Sequence, residues 1–132
     1  MRQLVTTTQA PAAIGSYSQA IRAGDTVYLS GQIPLDPATM TLVTGGIKAE
    51  ATRVFDNMQA VATAAGGSFD DIVKLTVYLT HLPDLSVVNE LMQDYFKQPF
   101  PARTSIQVSA LPKGAAIEIE AILVLRSPVS SP

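Results

Sequence analysis

The chain has 132 residues, 47% of them hydrophobic and only 15% charged, against roughly 25% charged in an average soluble domain; this predicts one compact domain over 1–132 whose apolar surface is covered by copies of itself. A net charge of −2 gives no basic footprint and speaks against nucleic acid, while the lack of cysteine and the single histidine, His81, exclude disulfides, thiolate nucleophiles and Cys- or His-cluster metal sites. No apolar run approaches the roughly 20 residues of a membrane span, and Met1-Arg2-Gln3 leads into no signal core, so a cytoplasmic protein with no membrane partner is expected.

Gln3 to Thr7 predicts a short first strand, followed by a loop through Ala10-Pro11-Ala12-Ala13-Ile14-Gly15. Ser18 to Arg22 and Thr26 to Ser30 form a hairpin around Gly24-Asp25, and Gly31 ends it where a side chain is unwelcome. After a turn-rich stretch from Pro34 to Gly46, the apolar positions from Ile47 through Val54, Phe55, Met58, Val61 and Ala65 follow helical spacing, with Gly66-Gly67 as the stop. From Asp71 to Thr80 the period changes to two, with Val73, Leu75, Val77 and Leu79 facing one way. A second helix runs from about Leu85 to Lys97 and is closed by Pro99 and Pro101. Two last strands, Thr104 to Ala110 and Ala116 to Leu125, are joined by a link short enough for an antiparallel pair, and Ser127 to Pro132 reads as a frayed tail.

The order β-β-β-α-β-α-β-β gives two helices, enough to cover one sheet face. The other is left with Tyr28, Ser30, Lys74, Thr76, Tyr78, Ser105, Gln107, Glu118, Glu120, Ile122 and Val124, too apolar for plain solvation and too polar for a dry core. Such faces meet in an oligomer with polar pockets between subunits. If the last two strands pair directly, Gln107 stands opposite Glu120 and Ser105 opposite Ile122, and Arg103 reaches the same pocket as Glu120. A guanidinium fork suits a planar carboxylate, and a shielded glutamate can hold a water as general base. By spacing alone, an ordinary ion pair is the stronger reading. Tyr17 could close over a ligand or pack at an edge; Ser30-Gly31 could admit a ligand or simply form a turn; Asn89 could bridge locally; and His81 reads as a surface residue at a strand end.

Four segments in order, Ala10-Pro11-Ala12-Ala13-Ile14-Gly15-Ser16-Tyr17-Ser18-Gln19, Ser30-Gly31-Gln32-Ile33-Pro34, Phe100-Pro101-Ala102-Arg103 and Ile117-Glu118-Ile119-Glu120-Ala121-Ile122, resemble the RidA (YjgF/YER057c/UK114) family of enamine/imine deaminases over nearly the whole chain. The resemblance implies an α+β, chorismate-mutase-like fold, a mixed sheet with two helices on one face, and a homotrimer whose sheets form a central barrel with clefts between subunits. It implies hydrolytic deamination of 2-imino or enamine acids, the 2-aminoacrylate/2-iminopropanoate class, to 2-oxo acids and ammonia. Arg103 then grips the carboxylate and Glu120 positions a water, while Tyr17, Ser30, Gly31, Asn89 and Ser105 line the substrate site. Such imines already hydrolyse in water, so orienting substrate and water suffices and no cofactor or metal is required.

Three positions depart from the family pattern: Ser105 stands where many relatives have cysteine, Ser16 where proline is frequent, and Met40 at a turn position often held by glycine, where only a local effect is expected. A non-enzymatic 2-oxo-acid sensor or partner-binding protein using the same clefts is the alternative. The ribonuclease activity credited to some relatives is disfavoured by the acidic charge balance.

Overall fold

The computed structural model describes residues 1–126; the tail expected to fray, 127–132, lies outside the described residues. Six strands, β1 (Arg2–Val5), β2 (Ala20–Ala23), β3 (Thr26–Gln32), β4 (Ile72–Leu79), β5 (Ala102–Gln107) and β6 (Ile117–Val124), form one sheet in the order β1-β2-β3-β6-β4-β5. Two helices, α1 (Ile47–Ala64) and α2 (Leu85–Tyr95), supply the other layer, and the element order is the one the periodicity predicts. Among the described residues no helix is long and apolar enough to cross a membrane.

Val27 and Leu29 of β3, Leu75, Val77 and Leu79 of β4, and Ile117, Ile119, Ala121 and Leu123 of β6 all point to one side, against Val54, Phe55, Met58 and Val61 of α1 and Val88 and Met92 of α2. Strand alternation accounts for this: every second side chain is apolar and buried, and its neighbours point to the uncovered face. At the end of α1, the Gly66 N–H donates to the Thr63 carbonyl and the Gly67 N–H to that of Ala62, both at 3.0 Å. This pair of bonds needs a left-handed residue, which Gly66 provides at φ +92°.

Two expectations change. A bulge interrupts the ladder between Ile72 and Lys74, so Ile72 is buried and Val73, expected inside, is 48% exposed. More consequentially, β5 and β6 are not neighbours. The α2 crossover returns the chain parallel to β4, pairing Leu75 with Arg103 and Thr76 with Thr104, while β6 lies antiparallel between β3 and β4. The short link looks like a hairpin in sequence, but residues 108–116 carry the chain past the end of β4. Arg103, Ser105 and Gln107 therefore share the helix-side face with Leu75, Val77 and Leu79, and it is Thr104 and Ile106 that face outward beside Thr76 and Tyr78.

Aromatic packing ties the helices to the turn before β4. Phe55 stacks on Tyr95 at 4.9 Å between ring centroids, Phe69 on Phe96 at 4.8 Å, and the Tyr95 hydroxyl donates to Asp56 Oδ1 at 2.9 Å. Burial, reinforced by the bond to the Asp56 carboxylate and its charge, pushes the Tyr95 phenol from 10.0 up to about 12. A raised folded-state value means that this contribution to stability is complete below pH 10 and is lost as pH climbs toward 12. In urea denaturation between those pH values, the midpoint of the native protein should fall more steeply than that of Tyr95→Phe, which lacks the ionising group.

Candidate functional site

The loop before β2 holds its shape through one side chain. Gln19, 3% exposed, accepts from the Thr7 N–H at 2.7 Å and donates through Nε2 to the carbonyls of Pro11 at 2.7 Å and Thr7 at 3.0 Å. Its own carbonyl accepts from the Ser30 N–H at 3.0 Å, joining the loop to β3. Tyr17 lies on this loop, half exposed, with its hydroxyl accepting from the Ile14 N–H at 3.3 Å; Gly15 makes the intervening turn at φ +115°. No role for Gln19 was drawn from the sequence. The signal was an amide among small residues and prolines, where backbone carbonyls outnumber available donors.

Between the pairs Leu29↔Ala121 and Gln32↔Ile119, β3 carries one residue more than β6, so Ser30 and Gly31 both stand against Glu120. The strand thus continues through a bulge where a simple turn was the competing expectation. The Ser30 hydroxyl donates to the Ser18 carbonyl. A Cβ on Gly31 would lie 2.9 Å from Glu118 Cδ and closer still to Oε2, so the missing side chain makes room for the Glu118 carboxylate.

These parts enclose an open cavity of about 630 Å³ whose wall includes Tyr17, Ser30, Gly31, Met40, Glu118 and Glu120. Met40 adopts the left-handed backbone at φ 59° and reaches this wall, so the departure expected to matter only locally borders the candidate site. The Tyr78 hydroxyl donates to Glu120 Oε2 at 3.0 Å from the neighbouring strand. Burial first, then the bond to Glu120 and the charges of Glu120 and Glu118, raise the Tyr78 phenol above its usual value. Half-burial, reinforced by the charge of Glu120, raises the Glu118 carboxyl likewise. Glu118 was placed on the open face by alternation but was not assigned to the site.

Arg103, Asn89 and Ser105 form a second group. Arg103 Nη1 donates to Asn89 Oδ1 of α2 at 2.7 Å, which fixes the guanidinium while leaving other N–H groups of the fork free. Ser105 Oγ is buried and has no partner among the described residues. The shared pocket expected from direct β5–β6 pairing does not exist within one protomer. Arg103 lies on the helix-side face in register with Leu75 and Ala121, and Glu120 on the open face in register with Thr76, with β4 between their strands. His81 is exposed just after β4 and does not line the cavity. No group of three or more His, Cys, Asp or Glu that could hold a metal occurs among the described residues.

Residues 7–125 match the family model described as Endoribonuclease L-PSP. The human 2-iminobutanoate/2-iminopropanoate deaminase is 48% identical over 94% of this chain and 90% of its own length. The crystal structure of RidA from an Antarctic Psychrobacter superposes with a TM-score of 0.90 at 51% identity, covering 93% of this chain and 99% of that one. The chain belongs to the RidA family. The deaminase of the same name from Dermatophagoides farinae, 44% identical over 94% of this chain and 97% of its own, extends the RidA likeness to a distant source. The segments that carry it are structurally coherent: the Gln19 loop, the bulge at Ser30-Gly31 and the carboxylates of β6 build one wall, and the Pro101-Ala102-Arg103 run opens β5.

Gly31→Ala should displace only the flexible end of Glu118. Fold stability in urea should stay within about 1 kcal/mol of the native protein. The Glu118 carboxyl, followed by carbon NMR, should shift back down toward the ordinary carboxylate range as water reaches it.

Proposed function

We propose that this protein is a cytoplasmic homotrimer that hydrolyses reactive 2-imino and enamine acids of the 2-aminoacrylate/2-iminopropanoate class to 2-oxo acids and ammonia. The observation that carries the reading is the likeness, over nearly the full length of both chains, to deaminases of that name at 44–48% identity. The local chemistry supports it. The cavity offers carboxylates able to hold water and no cysteine, so a hydrolysis that needs no covalent intermediate suits it.

Arg103 is the grip for the substrate carboxylate, oriented by Asn89, and Glu120 is the residue that holds the attacking water. Because the two occupy opposite faces of one sheet, the productive site takes its arginine from one copy and its glutamate, with Tyr17, Ser30 and Gly31, from another. Ser105, behind Arg103 with its hydroxyl unpaired, belongs to the arginine side of that site. The open face supports association: Tyr28, Ile106 and Val124 are 52%, 41% and 39% exposed around Thr76 and Lys74.

The family description also names an endoribonuclease. The net charge of −2 and a lone histidine outside the cavity give RNA neither a basic groove nor the usual acid–base pair, and deamination is the better reading.

The test measures ammonia release from 2-aminoacrylate generated in the assay. Arg103→Ala should lower kcat/KM by about 100-fold or more, and Arg103→Lys by less, because the fork is lost while the charge stays. Co-expressing Arg103→Ala with Glu120→Gln should restore about a quarter of the native rate, the fraction of interfaces that random mixing makes complete. Full activity in Arg103→Ala would overturn the assignment; mixed oligomers as inactive as either parent would overturn the shared site. Binding of 2-oxobutanoate without any turnover would favour the sensor.

A further inference from the structure

Glu118 and Glu120 sit two residues apart on the open face of β6 and border the same cavity, yet their surroundings differ. Glu120 is exposed and already accepts the Tyr78 hydroxyl at 3.0 Å. Glu118 is half-buried, with its carboxylate pressed into the space that the missing Gly31 side chain leaves. Among the described residues no hydrogen bond or ion pair stabilises its charge. One carboxylate is thus supported and wetted, while its neighbour is desolvated and unsupported, facing a cavity.

Imine hydrolysis needs proton movement in two directions at once: the nitrogen must gain a proton while the attacking water loses one. One carboxylate cannot do both in the same step. We propose that Glu118 is the general acid of this reaction, giving its proton to the substrate nitrogen while Glu120 takes one from the water; the inference rests on the deaminase reading above.

The balance closes. Water oxygen bonds to the imine carbon, the π pair of the C=N bond moves to nitrogen, Glu118 supplies the proton that nitrogen gains and Glu120 receives the one that water sheds. In the collapse of the resulting carbinolamine, Glu120 returns its proton to nitrogen and the C–N bond breaks. The hydroxyl proton passes to Glu118, ammonia and a 2-oxo acid leave, and both carboxyl groups return to their starting states.

The groups facing Glu118 fit this division. Tyr78 lies opposite it on β4, Glu120 beside it on β6, and Tyr17 and Lys113 reach the cavity from flanking loops. Tyr78 commits its single proton to Glu120, and Tyr17 holds its hydroxyl at the Ile14 N–H, so neither hydroxyl stands free as donor. Burial and the adjacent Glu120 charge both favour the protonated form of Glu118, which an acid requires; its active fraction declines as pH rises through that raised value.

The experiment compares kcat against pH for the native protein, Glu118→Gln and Glu118→Asp, using 2-iminobutanoate generated in the assay, with 2-oxobutanoate affinity as a control for the pocket. Glu118→Gln should lose about 100-fold in kcat and the alkaline limb governed by Glu118, with 2-oxobutanoate affinity within about twofold of native. Glu118→Asp should recover part of the rate together with that limb. A Glu118→Gln variant with kcat within about threefold of native, or with the alkaline limb intact, overturns the acid role and leaves the deaminase reading standing. A native protein that does not accelerate imine hydrolysis over buffer removes both.

Discussion

The arrangement depends on β6 being clamped between β3 and β4. As an inner strand it is paired on both sides, and its strict alternation sends Ile117, Ile119, Ala121 and Leu123 into the core while Glu118 and Glu120 point the other way. A one-residue slip would drive two carboxylates beneath α1 and lift four apolar residues into water. Burying an unpaired charge costs several kcal/mol in such a setting, so the register of the acid pair is enforced by the core itself.

On the wall around those acids, local irregularities of backbone do the shaping. The β3 bulge sets two residues against Glu120, and the glycine within it yields its side-chain space to Glu118. Met40 and Lys113, at φ 59° and 58°, are the non-glycine residues with left-handed backbone among those described, and both border the same cavity. Strain of this kind, of order 1–3 kcal/mol per residue, persists where surrounding contacts over-determine the chain. Here those contacts include Asn57, which donates to the Leu35 carbonyl at 2.9 Å, and Gln19, which anchors the preceding loop.

Separating the guanidinium from the glutamates by the thickness of the sheet keeps them from neutralising one another within a protomer. Arg103 is engaged by the uncharged Asn89, and the only side-chain donor to Glu120 among the described residues is the Tyr78 hydroxyl. Both charges stay available for a ligand, in keeping with a site divided between copies. The remaining described ion pair, Arg126 with Asp71 at 3.2 Å, lies at the end of β6 and fastens the turn before β4.

The sequence by itself determined the two helices, the six strands, the inward face of β6 and the outward placement of Glu118 and Glu120, because hydrophobic period is a local property of the chain. The four family segments likewise named Arg103, Glu120, Tyr17, Ser30 and Gly31 as residues to watch. Strand neighbours were decided only by the tertiary structure: the order β3-β6-β4-β5 inserts β4 between two strands that a short link seemed to join. Pairing partners depend on contacts far apart in the chain, and parallel β5 beside β4 leaves the same alternating pattern in sequence as antiparallel β5 beside β6 would. For the same reason the bulges at Val73 and Ser30-Gly31, the anchoring by Gln19 and the face on which Arg103 lies were settled by packing, which requires the assembled sheet and its covering helices.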